Sequence, residues 1–207
     1  MSLLRLLTWA SPAFPTGGYA YSHGLEWAVE AGDLQTEAQA LEWIDAVLSD
    51  GTGRQDAILM RAAYAGSDVA ALAAATAPSA ERRAETMGQG AAFALAAAVW
   101  DDVSAAAYPV AWGNLARQQG VSADDAVLAM LHALAANLVS AAVRLVPLGQ
   151  TAGLRIMAAL QPTILRIARD PADDPVNDPI SDLGGACFRS DIAAMRHETQ
   201  HTRLFRS

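Results

Sequence analysis

Residues 122–149 read SADDAVLAMLHALAANLVSAAVRLVPLG, and no formally charged residue occurs between Ala126 and Val143. About 18 apolar residues in a row is the length at which membrane-spanning helices begin. Seven of these eighteen residues are alanine, however, and His132, Asn137 and Ser140 interrupt the run, so it reads better as a helix buried inside a protein than as a span. Ser122 followed by Asp125 caps its start, and Pro147 with Gly149 closes it. A core helix of this length has to be covered by other helices, and the rest of the chain supplies candidates.

Upstream, Thr36 with Gln39 forms a capping box, and Leu41, Ile44 and Leu48 then share one face, predicting a helix from Glu37 to Asp50 ended by Gly51 and Gly53. Further amphipathic stretches cover Asp56 to Tyr64, stopping near Gly66, and an alanine-rich run from Asp68 that stops before Pro78. A long helix is expected from Ser79 to Trp100, with Met87, Ala91, Leu95 and Ala98 on one side and enough alanine and glycine for close packing. Pro109 starts another helix that runs to Gly120. Downstream, helical spacing resumes at Thr151 and reaches Arg169, with Pro162 expected to kink or split it.

No segment alternates with period two over strand length, and no internal repeat occurs. The predicted fold is all-α: a single-domain multi-helix array over residues 1–169 with an extended C-terminal tail. Residues 170–185 hold three prolines, two glycines and five aspartates, and read as an acidic linker. Residues 186–207 are basic, with Arg189, Arg196, Arg203 and Arg206, and are expected to expose Leu204 and Phe205 as a docking tail. At the other end, Met1 to Trp9 lacks the pattern of a secretory signal and is expected to belong to the mature protein. In Ser11-Pro-Ala-Phe-Pro-Thr-Gly-Gly18, two prolines and two glycines specify a shaped loop, with a helix expected from about Tyr19.

Bulk composition narrows the function classes. The chain is 53% hydrophobic and only 17% charged, opposite to the signature of disorder. Its net charge is −8 with no basic stripe, which argues against nucleic acid as a partner. All fourteen basic residues are arginine, so neither a P-loop lysine nor a Schiff-base lysine is available. The single cysteine, Cys187, allows no internal disulfide, and a cytoplasmic location is the default expectation.

Several patterns could carry chemistry. His197-Glu198-Thr199-Gln200-His201 matches H-E-x-x-H, in which two imidazoles one turn apart bind zinc and the glutamate activates water. A zinc-dependent hydrolase is therefore one alternative, but only Thr202 to Ser207 follows, with no third ligand side chain. Gly51-Thr-Gly53 is a fragment of a dinucleotide fingerprint without its preceding strand, and reads as a helix stop. Ser22-His23 are sequence neighbours, which rarely gives triad geometry. His132 reads as structural, and Asp173 and Asp174 lack the spacing of a calcium loop. The residues alone describe an acidic helical domain without a complete catalytic constellation, and a generic helical adaptor is the second alternative.

Three segments resemble the UreF family of urease accessory proteins. Ser11 to Gly32, SPAFPTGGYAYSHGLEWAVEAG, is similar to the family's opening pattern; Ala141 to Thr151, AAVRLVPLGQT, to the segment after its long central helix; and Asp191 to Ser207, DIAAMRHETQHTRLFRS, to its C-terminal signature. The segments stand in the family's order at both ends and the middle of the chain. Two departures stand out: His201 occupies a position commonly aromatic in the family, and Arg144 one often held by lysine.

The resemblance implies a non-enzymatic helical protein, dimeric within its complex, that joins UreD (also called UreH) and the GTPase UreG to apo-urease during nickel insertion and modulates UreG. It implies no stably bound cofactor, nickel being handled by the complex. It assigns Arg196, His197, Glu198, Arg203, Leu204, Phe205 and Arg206 to the UreD side. Pro12, Pro15, Gly17, Gly18, Tyr19, Ser22, Gly24, Glu26, Arg144 and Gln150 are assigned to a motif that faces UreG or a second copy, or that maintains the fold.

Overall fold

The computed structural model describes residues 2–169 and 183–207. Its helices in chain order are α1 (Ser2–Trp9), a 3-10 turn (Gly18–Ala20), α2 (Leu25–Glu30), α3 (Glu37–Ser49), α4 (Thr52–Ala65) and α5 (Ala70–Ala75). These are followed by α6 (Ala80–Ala97), α7 (Tyr108–Gln118), α8 (Ala123–Leu145), α9 (Gln150–Ala168) and α10 (Phe188–His197). No strand occurs among the described residues, and the fold is all-α. Positions 170–182 of the acidic linker lie outside the described residues.

The apolar run of residues 126–143 lies within α8, the axis of the molecule. The Ser122 hydroxyl accepts from the Asp125 amide, and Asp124, Asp125 and Arg144 place charges that suit the helix dipole at its two ends. Among the described residues α8 is the one helix long and apolar enough to cross a membrane, and half of its most apolar window is buried by its neighbours. Those neighbours are α1, α2, α3, α4, α7 and α9. Leu131 and Leu138 are shut off from solvent, and each such burial contributes about 2 kcal/mol.

Small residues let the outer helices approach. A Cβ on Gly113 of α7 would stand 2.3 Å from the Met60 carbonyl of α4, and one on Gly90 of α6 would overlap the Ala106 carbonyl. The expectation of close packing around the long Ala/Gly helix therefore holds. Its facing is the reverse of what the apolar spacing suggests: Met87, Ala91, Leu95 and Ala98 line the exposed side. The buried side is Arg82, Glu85, Gln89, Gly90, Phe93, Ala94 and Ala97.

Three other expectations are corrected. No helix begins at Tyr19; after the 3-10 turn the chain extends at Tyr21, and His23 (φ 52°) and Gly24 (φ 76°) take left-handed conformations that delay α2 to Leu25. Gly53 does not end α3 but lies in the first turn of α4, where a Cβ would meet the Leu48 backbone at 2.6 Å. Pro162 does not split α9, because it sits on the exposed side while Ile156, Leu160, Ile164 and Ile167 anchor the other face against α3 and α8. The predicted caps at Thr36 and Ser122 and the stop at Gly66 stand where expected, and the helix expected from Ser79 begins there, with the Ser79 side chain as its cap.

Candidate functional site

The segments that carry the family resemblance lie far apart in the chain, and the fold brings them to one place. Gly24 makes this possible: a Cβ there would lie 2.6 Å from the Ala194 backbone nitrogen, so α10 packs directly onto the start of α2. The chain after α10 then returns across α2 and α6. Arg206 donates its amide to the Ala20 carbonyl (2.8 Å), and the Ser207 carbonyl accepts from the Ser22 amide (2.7 Å) and hydroxyl (2.5 Å). Arg144, at the end of α8, donates to the Tyr19 carbonyl (2.9 Å) and lays its guanidinium 4.4 Å from the centre of the Phe205 ring.

Glu26 and Glu81 hold this arrangement together. The Glu26 carboxylate accepts from the amides of Leu204 (2.6 Å) and Phe205 (2.8 Å) and contacts His197 Nε2 (3.1 Å). The Glu81 carboxylate contacts His197 Nδ1 (2.7 Å) and accepts from Arg203 (2.7 Å). Glu198 accepts from the Ala80 amide at the start of α6, a favourable place for an anion. His197 is fully buried, and Phe205 is 4% exposed while Leu204 is 68% exposed. The expectation that both Leu204 and Phe205 are exposed is thus corrected for Phe205, whose ring is covered by Arg144.

Beneath this layer lies a second polar cluster. His23 Nε2 is 2.9 Å from Glu85 Oε1 and 2.7 Å from an Arg82 nitrogen; Arg82 and Glu85 form a close ion pair. Gln89 and the Ser207 hydroxyl also donate to Glu85, each at 2.8 Å. Burial alone would raise the Glu85 carboxyl, but the Arg82 guanidinium and His23 hold it at about 2. Burial, reinforced by Arg82, lowers His23. Asp56 borders the same cluster, and burial pushes it up to about 7 against the pull of Arg82. These groups line a cavity of about 40 Å³, into which Tyr21 and Asn137 also face. That is room for about three waters at roughly 10–15 Å³ each.

The remaining sequence-selected residues are placed as follows. Pro12, Pro15, Tyr19, Arg196 and Arg206 are exposed, and Gly18 is buried against Asn137. Gly17 takes a left-handed φ of 72° ahead of the 3-10 turn. Gln150 stands exposed at the first residue of α9 and makes none of these contacts. Arg82, Glu85, Gln89, Asp56 and Glu81 are absent from the sequence-based selection. Apolar spacing could not have found them: Arg82, Glu85 and Gln89 share the stripe of Phe93 and Ala97, whereas the spacing of Met87, Ala91, Leu95 and Ala98 marks the opposite side.

The H-E-x-x-H pentad does not have ligand geometry. α10 ends at His197, so His201 is not one helical turn along the same face, and it is exposed while His197 is buried with both nitrogens against carboxylates. Among the described residues no three His, Cys, Asp or Glu side chains converge as a metal site. Ser22 and His23 do not pair either, since the serine bonds Ser207 and the histidine faces Glu85 and Arg82.

The UreF family model matches residues 34–161, more than half of the chain. Proteins named urease accessory protein UreF align over the whole chain: 51% identical in Cereibacter sphaeroides strain KD131, over 99% of that protein, and 47% in Rhodopseudomonas palustris strain HaA2, over 94%. A third, from Bradyrhizobium diazoefficiens, is 45% identical over 92% of its length. The relatives extend through the opening motif and the C-terminal segment that meet at Glu26, beyond the span of the family model, and on this likeness from end to end the chain belongs to the UreF family.

Proposed function

We propose that this protein is a non-enzymatic scaffold of urease maturation, joining UreD and the GTPase UreG to apo-urease in the cytoplasm and coupling the nucleotide state of UreG to insertion of nickel, the cargo of the complex. The observation that supports this most is the folded-back C-terminal segment, whose outer side is apolar and basic. On α10, Phe188, Ile192 and Met195 are 74%, 51% and 51% exposed, and in the segment that follows Leu204 is 68% exposed, with Arg196, Arg203 and Arg206 exposed as well. Apolar residues rimmed by arginine are what protein interfaces favour. UreD is assigned to this face. Arg196, Glu198, Arg203, Leu204 and Arg206 face it, whereas His197 and Phe205 secure the segment from beneath.

UreG, on this reading, meets the exposed loop residues Pro12, Pro15 and Tyr19. A scaffold can affect a GTPase only through differential binding of its states, so the coupling is a difference of affinities. The homodimer is assigned to α1, where Leu3, Leu4 and Leu7 are each more than half exposed on one short helix.

Copurification tests the reading. Leu204→Asp is expected to remove UreD from tagged, coexpressed complexes and to lower urease activation in cells, while the variant alone unfolds as the parent does. Retention of UreD by that variant, or normal urease activation in a strain lacking this protein, would sink the proposal.

A further inference from the structure

The segment between α4 and α6 is held to the rest of the protein by few contacts. Its buried side chains are Val69 and Ala73, which belong to a small cluster with Leu59, Ala62 and Val110, apart from the main core. Past Ser67, whose amide still bonds the Ala62 carbonyl, its hydrogen bonds among the described residues close on the segment itself. The Ala73 amide bonds the Val69 carbonyl, the Thr76 amide the Leu72 carbonyl, and the Thr76 hydroxyl the Ala73 carbonyl. A six-residue helix such as α5 is not stable alone, so the segment depends on those apolar contacts. Both ends are fixed independently of it: Gly66, at φ 97°, closes α4, and the Ser79 hydroxyl caps α6 by accepting from the Arg82 amide. Residues 67–78 can therefore swing out without unwinding either neighbour.

What lies beneath gives that motion a consequence. Thr76, Ala77 and Pro78 line a cavity of about 20 Å³ that also takes in Asp56 of α4 and Arg82 and Thr86 of α6. Asp56, Arg82 and Thr86 line the 40 Å³ polar cavity as well, so they stand between the two. The lining of the smaller cavity falls wholly within residues 52–109 and takes nothing from the C-terminal segment. We propose that residues 67–78 are a flap that opens as a unit while the rest of the helix array stays folded, and that its opening gives solvent access to Asp56.

Opening is then coupled to ionisation of Asp56. Burial pushes the closed-state carboxyl up to about 7 against the pull of Arg82, with Glu85 adding to the rise. The charged and titratable groups around it are Arg82 and Glu85 from α6, Tyr108 from α7 and His23 from the loop ahead of α2. The flap's one charged residue, Asp68, is exposed. With the flap open, Asp56 meets water and titrates near its ordinary 3.8. The closed form therefore holds one proton more over that interval, and its advantage is lost as pH rises from about 3.8 through about 7. The motion belongs to this chain alone and requires no partner, so its failure and that of the scaffold reading are separate results.

Hydrogen exchange on the full chain tests the flap, with rates at each pH corrected for intrinsic exchange. The Ala73 and Thr76 amides are expected to exchange at least about a hundredfold faster than amides in the middle of α4 and α6. Their exchange is expected to depend little on urea, because opening exposes a small apolar surface. Between about pH 5 and about pH 7 their protection is expected to fall by up to about tenfold per pH unit, the limit for one released proton. Asp56→Asn has no proton to release, so its flap is expected to open still but to lose that slope. Val69→Ala trims the flap's main anchor and leaves Asp56 in place; it is expected to speed exchange there by about five- to thirtyfold and keep the slope, with α8 unchanged. A segment that exchanges no faster than α4 and α6, a flat pH profile in the parent, or a slope that survives in Asp56→Asn overturns the proposal.

Discussion

Glu26 accepts from two backbone amides and a buried imidazole, all from residues more than 170 positions away. Glu26→Ala would leave those donors unpaired at a largely buried site, where each stranded group costs about 1–3 kcal/mol. A total loss of about 3 kcal/mol is expected in urea unfolding; a loss below about 0.5 kcal/mol would mean that water replaces the carboxylate without penalty. Two neighbouring acids respond to pH in opposite senses. Glu85 is held down at about 2, so its contribution is present above its unfolded value near 4.5 and is lost as pH falls toward 2. Asp56 is raised to about 7, so its folded form is favoured while protonated, and that advantage is lost as pH rises from near 3.8 through 7. Asp56→Asn is therefore expected to unfold at higher urea concentration than the parent at pH above 7, and to flatten the stability profile between those values. An unchanged profile would show that Asp56 is ionised in the native state at no cost. His197 and Glu198 were recognisable from sequence as groups able to do chemistry, yet nothing in HETQH says that its first imidazole is clamped by Glu26 and Glu81. Those partners come from two other helices, and local spacing carries no information about which helix crosses which.

Helix boundaries set by local chemistry were legible. Thr36 with Gln39, Ser79, Ser122 and Gly66 each act on the backbone within a few residues, so their effect survives whatever the tertiary packing does. Boundaries set by neighbours were not: α2 waits until Leu25 because α10 needs Gly24 free of a Cβ, and Gly53 enters α4 because α3 presses on it. The α6 facing was misleading for a related reason. Arg82 and Glu85 satisfy each other and His23 inside the protein, so the polar stripe is the buried one and apolar spacing alone selects the wrong side. Pro162 supplies a test at this scale. It breaks no packing on its exposed side, but it denies the Ala158 carbonyl its helical partner, and a proline inside a helix is about 3 kcal/mol worse than alanine. Pro162→Ala is expected to stabilise the protein by about 1–3 kcal/mol in thermal or urea unfolding. No gain would indicate that α9 already bends to spare that carbonyl and that its packing depends on the bend.

Taken whole, the molecule is acidic, with a net charge of −8, and carries exposed apolar residues at helical spacing on several helices. Isolated apolar residues on a surface mean little, but Leu3, Leu4 and Leu7 are 66%, 70% and 61% exposed within a single eight-residue helix. The inner side of that helix is fixed: Leu6 and Trp9 are buried, Trp9 stacks edge-on against Trp100 and Trp112, and Arg5 donates to the Gln119 carbonyl. α1 is thus a rigid element that presents leucine outward, and a twofold contact between two such faces would let each cover the other. Because the anchoring residues differ from the presented ones, the two roles can be separated. Leu3→Glu with Leu7→Glu places like charges opposite each other across such a contact while leaving Leu6, Trp9 and Arg5 in place. Light scattering on the isolated protein at tens of micromolar is expected to give a dimer for the parent and a monomer for the double variant, with identical helical circular dichroism. A monomeric parent would remove α1 as a self-association surface, and a dimeric variant would move the twofold axis to another apolar face, such as Leu95 and Val99 on and just beyond α6. If the double variant also fails to support urease activation while still binding UreD, the two functions map to opposite ends of the chain's topology, assembly at α1 and partner capture at α10.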